Sequence, residues 1–98
     1  MTWATQYIER LKRGETVQFR PRGNSMQGRI ESGQLVTVAP TLAVAIGDVV
    51  LCKCEGRQWL HLVKAINHNG YQIGNNKGHI NGWTSRENIF GVVTKVEA

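Results

Sequence analysis

The stretch QWLHLVKAINHNGYQIG, residues 58–74, decides the fold. Its first half alternates with a period of two, the spacing of a strand whose side chains point to opposite faces. Leu60, Leu62, Lys64 and Ile66 share one face; Trp59, His61, Val63 and Ala65 share the other. NHNG then ends the run, and Asn69-Gly70 is the strongest short-range hairpin signal in the chain. YQIG returns as the partner strand.

The same punctuation recurs outward from this hairpin. Upstream, GDVVLCKC (47–54) reads as a turn and a strand, and EGR (55–57) turns it into the next strand. QLVTVA (34–39) is a β-branched run closed by Pro40, and TVQFR (16–20) alternates Val17 and Phe19 until Pro21 stops it. Downstream, a Gly- and Asn-rich loop leads to NIFGVVTKV (88–96), the last strand. Only the N-terminus differs: Trp3, Tyr7, Ile8 and Leu11 recur at helical spacing, with Gly14 placed to end the helix. The expected fold is mainly β, a small curled sheet or barrel with one short N-terminal helix. It forms a single domain over 1–98, the helix taking 1–14 and the β domain 16–96.

Composition agrees. At 98 residues and 41% hydrophobic, the chain suits one folded core and not disorder. No run reaches the roughly 18 apolar residues of a membrane-crossing helix, and MTWATQYIERLKRGE lacks the apolar stretch of a secretory signal. Cys52 and Cys54, two apart on a strand, point the same way and make no disulfide framework. Reduced thiols predict a cytoplasmic protein. Zinc is not expected, because Cys52, Cys54, His61, His68 and His79 lack paired ligand spacings. GNNKG lacks the Gly-Lys-Ser/Thr ending of a phosphate loop. No cofactor is called for.

Charge is uneven. Residues 1–30 hold six Arg or Lys against two Glu, +4 of the chain's +5. Such a basic third either contacts nucleic acid or an acidic partner, or forms the solvated face of a helix and an edge strand. Without a helix-turn-helix or an aromatic-interleaved basic motif, nucleic acid binding is expected to be weak or supplied by a partner.

Two residues carry the candidate chemistry. Lys64 sits on an apolar face, where desolvation disfavours the ammonium and a neutral amine becomes available as a general base. An edge strand from which Lys64 snorkels to water fits the same pattern. Ser25, in RGNSMQGRI (22–30), needs such a base, since a serine hydroxyl alone is a poor nucleophile. His61 falls on the face opposite Lys64 in a regular strand, which argues against a Ser-His pair.

GNSM followed 39 residues later by the lysine of LVKAI resembles the Ser-Lys peptidases to which LexA-type repressors and type I signal peptidases belong. SGQLVTVAP is similar to the turn and strand after that family's nucleophile, and IGDVVLCK to its Gly-Asp turn. GNNKGHINGW stands where the family often has a Gly-Asp-Asn loop, and IFGVVTKV resembles its closing strand. The likeness spans residues 16 to 96 and is to the bare catalytic domain. It implies a β fold in which Ser25 is the nucleophile and Lys64 the general base. The backbone N–H groups of Asn24 and Ser25 form the oxyanion hole, and Met26 packs beneath the nucleophile against substrate. It further implies a protein or peptide substrate, no membrane partner, and room for a homodimer. The sequence departs from the pattern at Leu62, where some members place a hydroxyl that orients the lysine, and at Asn75, which replaces the acid of the loop. The alternative is a non-catalytic β-module of the same shape that binds a protein or nucleic acid.

Overall fold

The computed structural model describes residues 3–23, 26–40 and 43–98. Helix α1 (Thr5–Lys12) buries Ile8 and Leu11 and places Arg10 and Lys12 in its last turn, where positive charge suits the helix dipole. It ends as the sequence predicts. Gly14 adopts φ +87° and donates to the Leu11 carbonyl at 2.9 Å, while Glu15 N–H reaches the Arg10 carbonyl at 3.0 Å. This pair of bonds is a glycine-terminated helix end.

Seven strands follow: β1 (Val17–Phe19), β2 (Leu35–Ala39), β3 (Val49–Cys54), β4 (Arg57–Asn67), β5 (Gly70–Gly74), β6 (Ile80–Thr84) and β7 (Ile89–Glu97). They form one antiparallel sheet in the order β1-β2-β7-β3-β4-β5-β6. The sheet is curled but does not close into a barrel, leaving β1 and β6 as its edges. Breaks in register within β2–β7, β3–β7, β4–β5 and β5–β6 supply the curl, since each bulge bends its strand and adds twist. The curl brings β6 back toward β3, where the Thr84 hydroxyl donates to the Lys53 carbonyl at 2.7 Å.

A curled sheet has an inside on both of its faces, and β3 contributes to each. Val49 and Leu51 join the core under α1, with Ile8, Leu11, Val36 and Leu60. Val50, Cys52 and Cys54 join a second core with Val63, Ile73 and Ile89. That double burial is why VVLC reads as an unbroken apolar run rather than an alternation.

Three details differ from the sequence reading. The loop after β5 contains a strand, β6, whose Asn81 and Gly82 hide it; pairing with β5, from Tyr71↔Thr84 to Gly74↔Ile80, overrides their poor strand propensity. The β4–β5 turn is His68-Asn69, one residue earlier than Asn69-Gly70, with Asn67↔Gly70 as the closing pair. Asn67 Oδ1 accepts from Asn69 N–H at 2.8 Å and sets that turn. Gly70 serves a different end: it stands at φ +141°, and a Cβ there would collide with the Thr84 carbonyl of β6. Finally, β4 is not regular. Val63 pairs with Ile73 and Ala65 with Gln72, so Lys64 is an extra residue in a bulge. Leu60 and Leu62 remain in the core, but Ile66, beyond the bulge, is 37% exposed.

Candidate active site

Ser25 and Asn24 lie outside the described residues. The chain is described on either side of them. Gly23 N–H donates to Ser32 Oγ at 3.2 Å, and Met26, 4% exposed, is in the core with Ile30, Leu60 and Leu62. The Met26 carbonyl accepts from the N–H groups of Arg29 and Ile30 at 2.9 and 2.8 Å, which closes the turn that follows.

Lys64 reaches toward this turn through the β5–β6 loop. Its Nζ donates to the Asn75 carbonyl at 3.0 Å. Its aliphatic stem crosses Gly74, where a Cβ would come within 3.2 Å of Lys64 Cγ. The side chain of Asn75 shapes the loop: Oδ1 accepts from Lys77 N–H at 2.8 Å and His79 N–H at 3.0 Å. An amide oxygen thus does here what a carboxylate oxygen could do. The next residue ties the loop across, with Asn76 Nδ2 donating to the Gln27 carbonyl at 2.7 Å and Lys77 Nζ reaching Gln27 Oε1 at 3.3 Å. Asn76 Oδ1 is buried without a hydrogen-bond partner. The lysine amine and the residues just after Ser25 are therefore held by one loop.

Beside Met26 opens a cleft of about 560 Å³, whose lining does not include Lys64, Gln27 or residues 75–77. Gly23 and Met26 line it, with Trp3, Tyr7, Phe19, Trp59 and His61 among the other lining residues. Phe19 stacks on Tyr7 at 4.5 Å and meets Trp3 edge-on at 5.6 Å. β5 ends with Gly74 opposite Leu62, and the strand pairing of Arg57–His61 is with β3. The two-residue turn at Glu55-Gly56 (φ +52° and +79°) closes the Cys54↔Arg57 pair. Arg57, Trp59 and His61 then turn their peptide groups to β3, while those of Gln58 and Leu60 face away from it.

His61 is 2% exposed, stacks on Trp59 at 4.8 Å, and shares a 2.7 Å hydrogen bond with Asn81 Oδ1. An amide oxygen only accepts, so Nδ1 carries the proton. Burial pushes the ring's pKa down, the Asn81 bond opposes this, and His79 adds a smaller downward push. The sequence reading set His61 apart from Lys64 but gave it no cleft; the missing signal was the end of β5 opposite Leu62. The aromatic wall of Trp3, Tyr7 and Phe19 was read only as helix and strand periodicity.

Basic residues of the N-terminal third take local partners. Arg10 and Arg13 pair with Glu15 at 3.0 and 3.1 Å, Arg20 donates to the Gly33 carbonyl, and Arg29 to that of Gly47. Cys52 and Cys54 are buried free thiols. No helix of the described residues is long and apolar enough to cross a membrane.

A short helix packed on a curled antiparallel sheet, with a cleft lined by Gly23 and Met26, defines a mainly β domain. The family model described as Peptidase S24-like matches residues 2–93, and the chain belongs to that family, in which the LexA-type resemblance of its motifs falls. The match begins ahead of α1, which shares its core with the sheet. No curated protein matches the chain.

Proposed function

We propose that this chain is a serine endopeptidase that cuts a short exposed protein segment, with Ser25 as nucleophile and Lys64 as general base. The observation that carries the reading is the loop Asn75–Lys77, which holds the Lys64 amine on one side and Gln27 on the other. Neutral Lys64 takes the Ser25 proton as the hydroxyl attacks the peptide carbonyl, giving a tetrahedral oxyanion. Backbone N–H groups of Asn24 and Ser25 receive that charge. Collapse expels the amine, protonated by Lys64, and leaves an acyl-enzyme; Lys64 then activates the water that releases the acid.

A peptide substrate fits the cleft that Gly23, Met26 and Leu60 line. The domain runs over residues 1–98, acts in the cytoplasm, and leaves nucleic acid binding to a partner.

Incubating the purified protein with a library of unstructured peptides tests this. Cleavage by wild type, lost in both Ser25→Ala and Lys64→Met, is the expected result. Equal cleavage by wild type and Ser25→Ala refutes it. Peptide binding with no cleavage by any form selects the non-catalytic β-module.

A further inference from the structure

We infer that Asn76 is a positioning residue: it latches the turn after Ser25 to the loop that orients the Lys64 amine, and so sets the register between nucleophile and base. The inference rests on the peptidase reading and deepens it. Gln27 follows Ser25 by two residues. Asn76 Nδ2 donates to the Gln27 carbonyl at 2.7 Å, and the carbonyl of the preceding Asn75 accepts from Lys64 Nζ at 3.0 Å. The Cα atoms of residues 75 and 76 are about 3.8 Å apart, as across any trans peptide. One step of chain therefore separates the amine's acceptor from the turn's donor. That step is held fast: Asn75 N–H donates to the His79 carbonyl at 3.0 Å, and Asn75 Oδ1 accepts from the N–H groups of Lys77 and His79.

Stability does not account for the amide. Turned over, it would set Oδ1 against the Gln27 carbonyl, acceptor against acceptor. In the orientation it adopts, Oδ1 is buried with no hydrogen-bond partner among the described residues, which costs the folded state. A leucine of similar shape would escape that cost. It would also free the Gln27 carbonyl, which belongs to an exposed residue and can turn to water. What leucine cannot do is donate, so the bond to the turn is what the asparagine contributes. Substrate affinity is a separate matter, because the lining of the cleft includes neither Gln27 nor residues 75–77. A latch at Asn76 therefore acts on turnover and not on binding.

The test compares wild type with Asn76→Leu, each as the full chain. Amide hydrogen exchange followed by NMR reads the turn directly at Arg29 and Ile30, whose N–H groups bond to the Met26 carbonyl. Loss of the latch is expected to speed their exchange about threefold to tenfold, the worth of one hydrogen bond. Exchange in β3 and β4 is expected to stay as it was, with the urea midpoint not lowered. On the library peptide that wild type cleaves fastest, kcat is expected to fall about tenfold or more while KM stays within about twofold. Unchanged exchange at Arg29 and Ile30 overturns the inference whether or not wild type cleaves. So does faster exchange throughout the sheet with a lowered urea midpoint, the mark of a structural role. A raised KM with kcat held also overturns it, by making Asn76 a substrate contact. Faster exchange confined to the turn, with no cleavage by wild type, leaves the latch standing and refutes the peptidase reading alone.

Discussion

Replacing Gly74 with Ala probes the point where fold and site meet. Gly74 is not among the glycines at positive φ, so alanine brings no backbone strain, and its whole cost is contact. The new methyl would fall inside the van der Waals radius of the His79 carbonyl oxygen, 3.2 Å from Lys64 Cγ and 3.3 Å from Ile80 Cδ1. The lysine stem can move; the carbonyl cannot move cheaply, because it accepts the Asn75 N–H at 3.0 Å. Overpacking of this kind costs about 1–3 kcal/mol. Losing the Asn75 hydrogen bond adds about 1 kcal/mol. The sum, about 2–4 kcal/mol, lowers a urea midpoint by roughly 1–3 M at a slope near 1.5 kcal/mol/M. Gly78→Ala is the control: it lies in the same loop at φ +95° with open space around it, so it carries strain without contact. Urea unfolding followed by tryptophan fluorescence measures all three proteins. On the proposed mechanism Gly74→Ala also loses cleavage, because the loop that fixes the amine is forced open. A Gly74→Ala midpoint within about 0.3 M of wild type, or above that of Gly78→Ala, refutes the reasoning.

Two further outcomes follow from buried titratable groups. Burial holds His61 below its ordinary pKa, so the unfolded chain binds a proton that the folded chain resists; the stability of the neutral ring is complete above about pH 6.5 and is lost as pH falls below it. His61→Gln should therefore lose less stability than wild type between pH 7.5 and pH 5 in urea unfolding, and parallel losses would contradict this. Burial, with Cys54 beside it, pushes the Cys52 thiol up to about 12, and burial followed by Glu55 raises that of Cys54. Neither thiol should react with a disulfide reagent at pH 8 until urea unfolds the protein, and rapid labelling of the native state would count against the second core.

Much of this fold was legible because its strands are short and bounded by turn residues. GDVVLCKC announced a turn and a strand, and Leu11 with Gly14 announced the helix end. What stayed hidden was non-local. INGWT has no strand signature of its own; its status depends on Gly70 letting β6 approach and on Thr84 bonding to Lys53 across the curl. The bulge at Lys64 is equally invisible, since a period of two fits residues 58–66 with no break. The cleft was missed for the same reason: β5 ends opposite Leu62, and a strand's length on one side says nothing of its partner's on the other.

That bulge also bears on what Lys64 is for. In an unbroken strand the lysine would lie flat against Leu62 and Ile66, and burying its charge there would be costly without a partner. Lifted out of the ladder, it carries its stem over Gly74 and ends on the carbonyl of Asn75. A carbonyl accepts an N–H from an ammonium or an amine alike. No carboxylate is ion-paired to Lys64 among the described residues. The Leu62 departure from the family pattern then has a counterpart: where a neighbouring hydroxyl would orient the amine, the backbone of Asn75 does so, in a loop that Asn75's own side chain keeps closed. On the proposed mechanism, the asparagine that replaces an acid supplies orientation without charge, which is what a lysine acting as a base requires.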